Sequence, residues 1–127
     1  MEKKLSLSQQ IAEIGAGLKF EDLPERVVNN SKMFIMDLLG NIIASRHVDS
    51  SLTCLQAVRE LGDGDPVSTA IGCNYKTTPQ MAALINGTFG HAFDMDDDHR
   101  YGTQHSSVVV FPAILALAEK YGCSGKD

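Results

Sequence analysis

A chain of 127 residues that is 43% hydrophobic and 21% charged makes one domain, or part of one, with a real but modest core. Its net charge of -5 argues against general nucleic-acid binding, which needs lysine and arginine in excess to meet phosphates. Cys54, Cys73 and Cys123 show no CxxC spacing, so reduced cysteines in a cytoplasmic protein are expected rather than a disulfide framework or a cysteine-type zinc site.

The N-terminal MEKKLSLSQQ has two lysines but no apolar stretch behind them, which is not the pattern of a secretory signal. Leu7, Ile11, Ile14 and Leu18 then fall on one helical face, with Ser6 or Ser8 as the cap and Gly15 and Gly17 weakening the end. Asp22, Leu23, Pro24 and Glu25 read as the next helix start, with Asp22 as N-cap and Pro24 in the first turn. That helix should run to about Ser45. Its paired apolar residues (Val27 and Val28, Phe34 and Ile35, Leu38 and Leu39, Ile42 and Ile43) predict burial on more than one side. Asp37 beside this stripe is expected to be hydrogen-bonded, and Gly40 within it to mark a close helix crossing.

Ser50 or Ser51 opens a third helix through Leu55, Val58 and Leu61, ended by Gly62, and GDGDP is a loop. VSTAIGC, from Val67 to Cys73, is short and β-branched and is expected to be extended or a strand. NYKTTP reads as a turn, with Thr78 as N-cap and Pro79 at the first position of a helix reaching about Phe93. A last helix covers about Ser107 to Tyr121 and stops at Gly122. Its apolar run, Val108 to Ala118, is interrupted by Pro112 and is too short to span a bilayer. The expected class is all-α, with at most one short β-hairpin.

Between the last two helices lies the segment richest in chemistry, NGTFGHAFDMDDDHRYGTQHSS, from Asn86 to Ser107. It holds four of the sixteen acidic residues, Asp94, Asp96, Asp97 and Asp98, and three of the four histidines, His91, His99 and His105. Three readings fit this composition. The first is a solvated acidic loop. The second is a metal site, although a calcium loop fails because His99 stands where glycine is needed and His105 where glutamate is needed. A His/Asp site for zinc, manganese or iron stays open, without a spacing of high specificity. The third is acid/base catalysis, since crowded carboxylates cannot all keep ordinary pKa values once some are desolvated. Negative charge is also disfavoured at a helix C-terminus, so Asp96 to Asp98 should unwind the helix that precedes them.

The run MAALINGTFGHAFDMDDDHRYGTQHSSVVVFPAILALAEKYG resembles the core signature of the MmgE/PrpD family. Asn86, Gly87, His91, Asp94, Asp96, Asp97, His105, Ser106, Pro112, Ala113, Leu117, Ala118 and Glu119 carry the match. MDLLGNIIAS upstream resembles the family's second helix. The resemblance covers nearly the whole chain. Asp98 stands where the family pattern has threonine, Ser106 where it has proline, and Met95 where it has an aromatic residue.

The resemblance implies lyase or isomerase chemistry on a small polycarboxylate, as in 2-methylcitrate dehydratase of propionate metabolism or cis-aconitate decarboxylase. The shared step is proton removal or delivery next to a carboxylate. It assigns Asp94 and His105 as catalytic and His91, Asp97 and Asp98 as substrate-binding, with no cofactor and no metal. His91 and Asp97 are also expected to support the loop. The resemblance makes residues 1–127 an N-terminal segment of the family's helical domain, since family members are several times longer than this chain. The expected partners are a small polycarboxylate and either a second copy or a complementary downstream chain, with no nucleic acid and no membrane. The chain alone is expected to have little or no activity and to expose apolar helix faces.

Overall fold

A computed structural model describes residues 5–61 and 64–127. In chain order these form α1 (Leu7–Gly17), a 3-10 turn (Phe20–Asp22), α2 (Glu25–Ser45), α3 (Asp49–Leu61), β1 (Ser68–Ala70), β2 (Tyr75–Thr77), α4 (Pro79–His91) and α5 (Ser106–Tyr121). The class is helical with one antiparallel hairpin, in which Ser68 pairs with Thr77 and Ala70 with Tyr75. Among the described residues, no helix is long and apolar enough to cross a membrane.

The helix ends follow local chemistry. Ser6 caps α1, accepting from Gln9 N–H while the Gln9 side chain accepts from Ser6 N–H. Thr78 and Pro79 open α4 as the sequence predicts, although the Thr78 hydroxyl makes no cap hydrogen bond. Gly122 ends α5 in the left-handed conformation, at φ 67°. Two boundaries differ from the sequence reading. Asp22 belongs to the 3-10 turn, where its carboxylate accepts from Lys19 N–H, and Pro24 takes the cap position of α2. Tyr75–Thr77, read as part of a turn, is instead a strand, and the reversal lies before it at Ile71 to Asn74, with Gly72 and Asn74 at positive φ. The predicted stop of α3 at Gly62 lies outside the described residues.

The core forms where α4 crosses the rest. Ile85 and Phe89 of α4 pack with Leu38 and Ile42 of α2, Val58 of α3, Ala70 of β1 and Val108 of α5. Only one side of α2 is buried. Phe34 is 48% exposed and Ile43 46% exposed, which corrects the expectation of burial on several sides. The described elements cover only the Leu38–Ile42 line. On α1, Leu7, Ile11 and Ile14 are all exposed.

The close crossing falls at Gly90 rather than Gly40. A Cβ at Gly40 would meet nothing within 4 Å, whereas one at Gly90 would lie 2.6 Å from Leu38 Cδ1 and 2.8 Å from Val108 Cγ2. Asp37 is exposed and accepts from Asn41 Nδ2 at 3.2 Å. Gly90→Ala is therefore expected to destabilise the fold. Overpacking costs about 1–3 kcal/mol. Helix propensity near the end of α4 returns less than about 1 kcal/mol. The denaturation midpoint should fall accordingly; a rise would mean that α2, α4 and α5 are less tightly apposed.

Polar side chains lock the hairpin to the helices. Buried Asn86 accepts from Ile71 N–H and donates to the Thr69 carbonyl, both at 2.9 Å. Glu119 of α5 accepts from Thr69 N–H at 2.7 Å and from the Thr69 hydroxyl, and the Ser68 hydroxyl donates to the Ala116 carbonyl at 2.6 Å. These contacts fix β1 against α4 and α5, and so fix the relation of the two helices that frame the acidic segment.

Candidate active site

α4 ends at His91, and the chain turns through Asp94 at φ 54°, a left-handed conformation that aspartate tolerates better than most residues. This turn sends the next carboxylate inward. The Asp96 side chain has no exposed surface, whereas that of Asp94 is 76% exposed. Asp97 Oδ1 accepts from Ser107 N–H at 3.2 Å, placing a carboxylate at the N-terminus of α5. The chain then makes a small loop, closed by His99 N–H donating to the Gln104 carbonyl at 2.9 Å, and returns to His105 at the head of α5.

Four side chains converge. His91 Nδ1 lies 2.8 Å from Asp96 Oδ1, and His105 Nδ1 lies 3.2 Å from Asp96 Oδ2. The second contact is short but lacks hydrogen-bond alignment, and neither of its two buried atoms has another partner. On the outer side, Asp94 Oδ1 lies 3.9 Å from His91 Nε2 and 3.7 Å from His105 Nε2. The imidazoles meet edge to face, with centroids 4.6 Å apart. Beside them is an open cleft of about 430 Å³, lined by Gly87, His91, Gln104, His105, Val108 and Val109. Its lining is mostly apolar, with the two imidazoles and Gln104 as the polar side chains.

The Asp96 hydrogen bond raises the His91 pKa above its usual 6.5. Desolvation works against this, and the charges of Asp96 and Asp94 add to the rise. A histidine whose folded pKa exceeds its unfolded value contributes stability that is fully present below the unfolded pKa. That stability is lost as pH rises through the folded pKa. The melting-temperature gap between the native chain and His91→Gln should therefore be wider at about pH 5.5 than at about pH 8.5. An equal gap at both would show that the pair does not exist in solution.

The structure thus brings together Asp94, His105 and His91 of the five residues predicted from sequence. Asp97 is not in this group; its carboxylate accepts from Ser107 N–H at the start of α5. Asp98 is exposed and lies outside the cluster. Asp96 was not among the site residues assigned from sequence. Four acidic residues in a loop give no sign of which one turns inward, and that is decided by the backbone reversal at Asp94. Asp96, Asp94, His91 and His105 each offer a metal-ligating atom, all within 4.8 Å of one another.

Comparison with known proteins agrees with this architecture. Residues 9–127 match the model of the MmgE/PrpD N-terminal domain. The chain belongs to the MmgE/PrpD family. It is 35% identical over 104 residues to a cis-aconitate decarboxylase-like protein, oryM, of Aspergillus oryzae, covering 80% of this chain and 21% of that protein. It is 28% identical over 123 residues to the cis-aconitate decarboxylase of Aspergillus terreus, covering 97% of this chain and 25% of that protein. The corresponding figures for the Homo sapiens cis-aconitate decarboxylase are 31% over 120 residues, 90% of this chain and 24% of that protein. The chain therefore spans about a quarter or less of the length of these curated relatives.

The three departures from the MmgE/PrpD pattern sit around the cluster rather than in it. Met95 is 71% exposed, Asp98 is exposed, and Ser106 is the first residue of α5, its hydroxyl accepting from Gln104 Nε2 at 3.4 Å.

Proposed function

We propose that this segment forms one wall of a lyase active site that moves a proton on a small polycarboxylic acid of the cis-aconitate class. The observation that supports it most is that His91 and His105 line one cleft together, with Asp94 Oδ1 within 3.9 Å of both Nε2 atoms. In this reading His105 binds a substrate carboxylate or shuttles a proton, and the exposed Asp94 acts as an acid/base contributor. Loss of CO2 leaves an electron pair on the substrate carbon, which takes up a proton. Loss of water instead requires a proton to be drawn from carbon and one delivered to the departing hydroxyl. An imidazole paired with a carboxylate can serve either direction. The names of the relatives favour decarboxylation, and dehydration or epimerisation use the same first contact.

None of the four converging side chains is lysine or arginine, so the cations that hold the other substrate carboxylates come from elsewhere. We place them in the region by which the relatives exceed this chain, or in a second copy. The exposed apolar ridge of α5, with Val109, Ile114 and Leu117, would face that region. The 127-residue chain alone is accordingly expected to be nearly inactive. The test is release of CO2 or water from citrate-like acids by a polypeptide that adds this missing region. Activity that survives Asp94→Asn and His105→Ala together would remove the assignment.

A second reading, a metal-binding helical domain, is favoured by the four donor atoms within 4.8 Å of one another. Elemental analysis of protein purified without a tag separates the two. The proton-transfer reading expects no stoichiometric transition metal or zinc, and one ion per chain would favour the metal.

A further inference from the structure

Asp96 is the one member of the cluster that a substrate in the cleft would not reach, because its side chain has no exposed surface. Its two oxygens face different histidines, Oδ1 toward His91 Nδ1 at 2.8 Å and Oδ2 toward His105 Nδ1 at 3.2 Å. We propose that Asp96 is a positioning residue that holds both imidazoles in the Nδ1–H form, turning both Nε2 atoms toward Asp94 and the cleft. The importance of this for turnover rests on the proton-transfer reading above; the tautomer assignment does not.

An ionised carboxylate only accepts hydrogen bonds, so each ring nitrogen facing it carries the proton. A neutral imidazole has one N–H, and the opposite nitrogen keeps its lone pair. Free imidazole side chains in water favour the other tautomer, with the proton on Nε2, so Asp96 would invert the ordinary preference at two residues. Oδ2 and His105 Nδ1 have no other partner, and leaving both unpaired out of water is costly. At 3.2 Å they are close enough to pair with each other, which would remove that cost. With both Nδ1 atoms bound, each Nε2 is left 3.9 or 3.7 Å from Asp94 Oδ1. A proton taken up at either Nε2 then lies on the side of the exposed carboxylate and the substrate. The arrangement follows the general rule that an outer carboxylate fixes the ring orientation and basicity of a working histidine.

Long-range proton–nitrogen correlation spectra of the chain labelled with nitrogen-15 histidine read the tautomers directly, at a pH where both rings are neutral. His91 and His105 should both show Nδ1–H in the native chain. In Asp96→Asn, one ring should switch to Nε2–H, because the amide offers one acceptor and one donor where the carboxylate offered two acceptors. In Asp96→Ala, both should move toward Nε2–H. An Nε2–H form at either ring in the native chain, or tautomers unchanged in both variants, overturns the proposal. The native spectrum decides even if the variants do not fold. In the longer polypeptide, Asp96→Asn should lower kcat about 10–100-fold with little change in KM. Expected tautomers with unaltered kcat in that variant would overturn the positioning role. Loss of activity in Asp96→Asn but not in the Asp94 and His105 variants would instead overturn the functional reading.

Discussion

Under the proposed chemistry, His105→Ala, in a polypeptide that joins this segment to the region by which the relatives exceed it, is expected to lower turnover by about 10²–10⁴-fold, the usual contribution of a positioned acid or base. Asp94→Asn should fall in the same range, since it keeps the shape and removes the charge that faces both Nε2 atoms. The two losses should not add. Asp94 and His105 lie 3.7 Å apart and would act on one proton, so the double variant should be little worse than the poorer single one. Asp94 is largely exposed and away from the Phe89 and Leu38 core, so Asp94→Asn should change thermal stability little, whereas His105→Ala also strips buried Asp96 Oδ2 of its imidazole and should lower it. A steady-state assay of the three variants beside their melting temperatures checks all of this. Strictly multiplicative losses would mean that the residues serve separate steps.

The largest effect on stability is expected at Asn86. Asn86→Leu removes the acceptor for Ile71 N–H and the donor to the Thr69 carbonyl, on either side of Ala70 in the core strand. Each buried backbone group left unpaired costs about 1–3 kcal/mol, so a loss of about 3 kcal/mol is expected after allowing for the apolar area that leucine adds. That is a large share of the stability of a domain this size. The damage should extend beyond the hairpin, because β1 links α4 to α5 through Asn86, Glu119 and the Ser68 hydroxyl. Urea denaturation monitored by circular dichroism measures it. A loss below about 1 kcal/mol would show that water replaces the side chain, and that Asn86 does not hold the hairpin.

Much of this frame is legible in the sequence because it depends on neighbours along the chain. Ser6, one of the two caps the sequence offers for α1, Thr78 with Pro79, and Gly122 after the last apolar turn are local signals, and each marks a helix end. His105 at the head of α5 and His91 at the tail of α4 follow from those boundaries. The misreadings are of another kind. Gly40 and Gly90 look alike in sequence, and only the paths of α2 and α5 make Gly90 the crossing. Tyr75–Thr77 pairs with Ser68–Ala70 through long-range contacts, which no turn signal announces. The breadth of the apolar stripe on α2 suggested burial all round, but a pattern cannot tell which neighbours are present to cover it. Asp96 was hidden for a similar reason. Four carboxylates within five residues differ only in direction, and the positive φ of Asp94 marks the turn that sets it.

In the proposed function, Asp94 and His105 together transfer a proton to or from the substrate carbon beside the cleft that His91 and His105 line. Solvent isotope labelling tests it most directly. The longer polypeptide, incubated with a citrate-like or cis-aconitate-like acid in deuterium oxide, should place solvent deuterium on the carbon next to a carboxylate. The variant carrying both Asp94→Asn and His105→Ala should not do so while it still binds the acid. Deuterium incorporation at the native rate in that double variant would contradict the account.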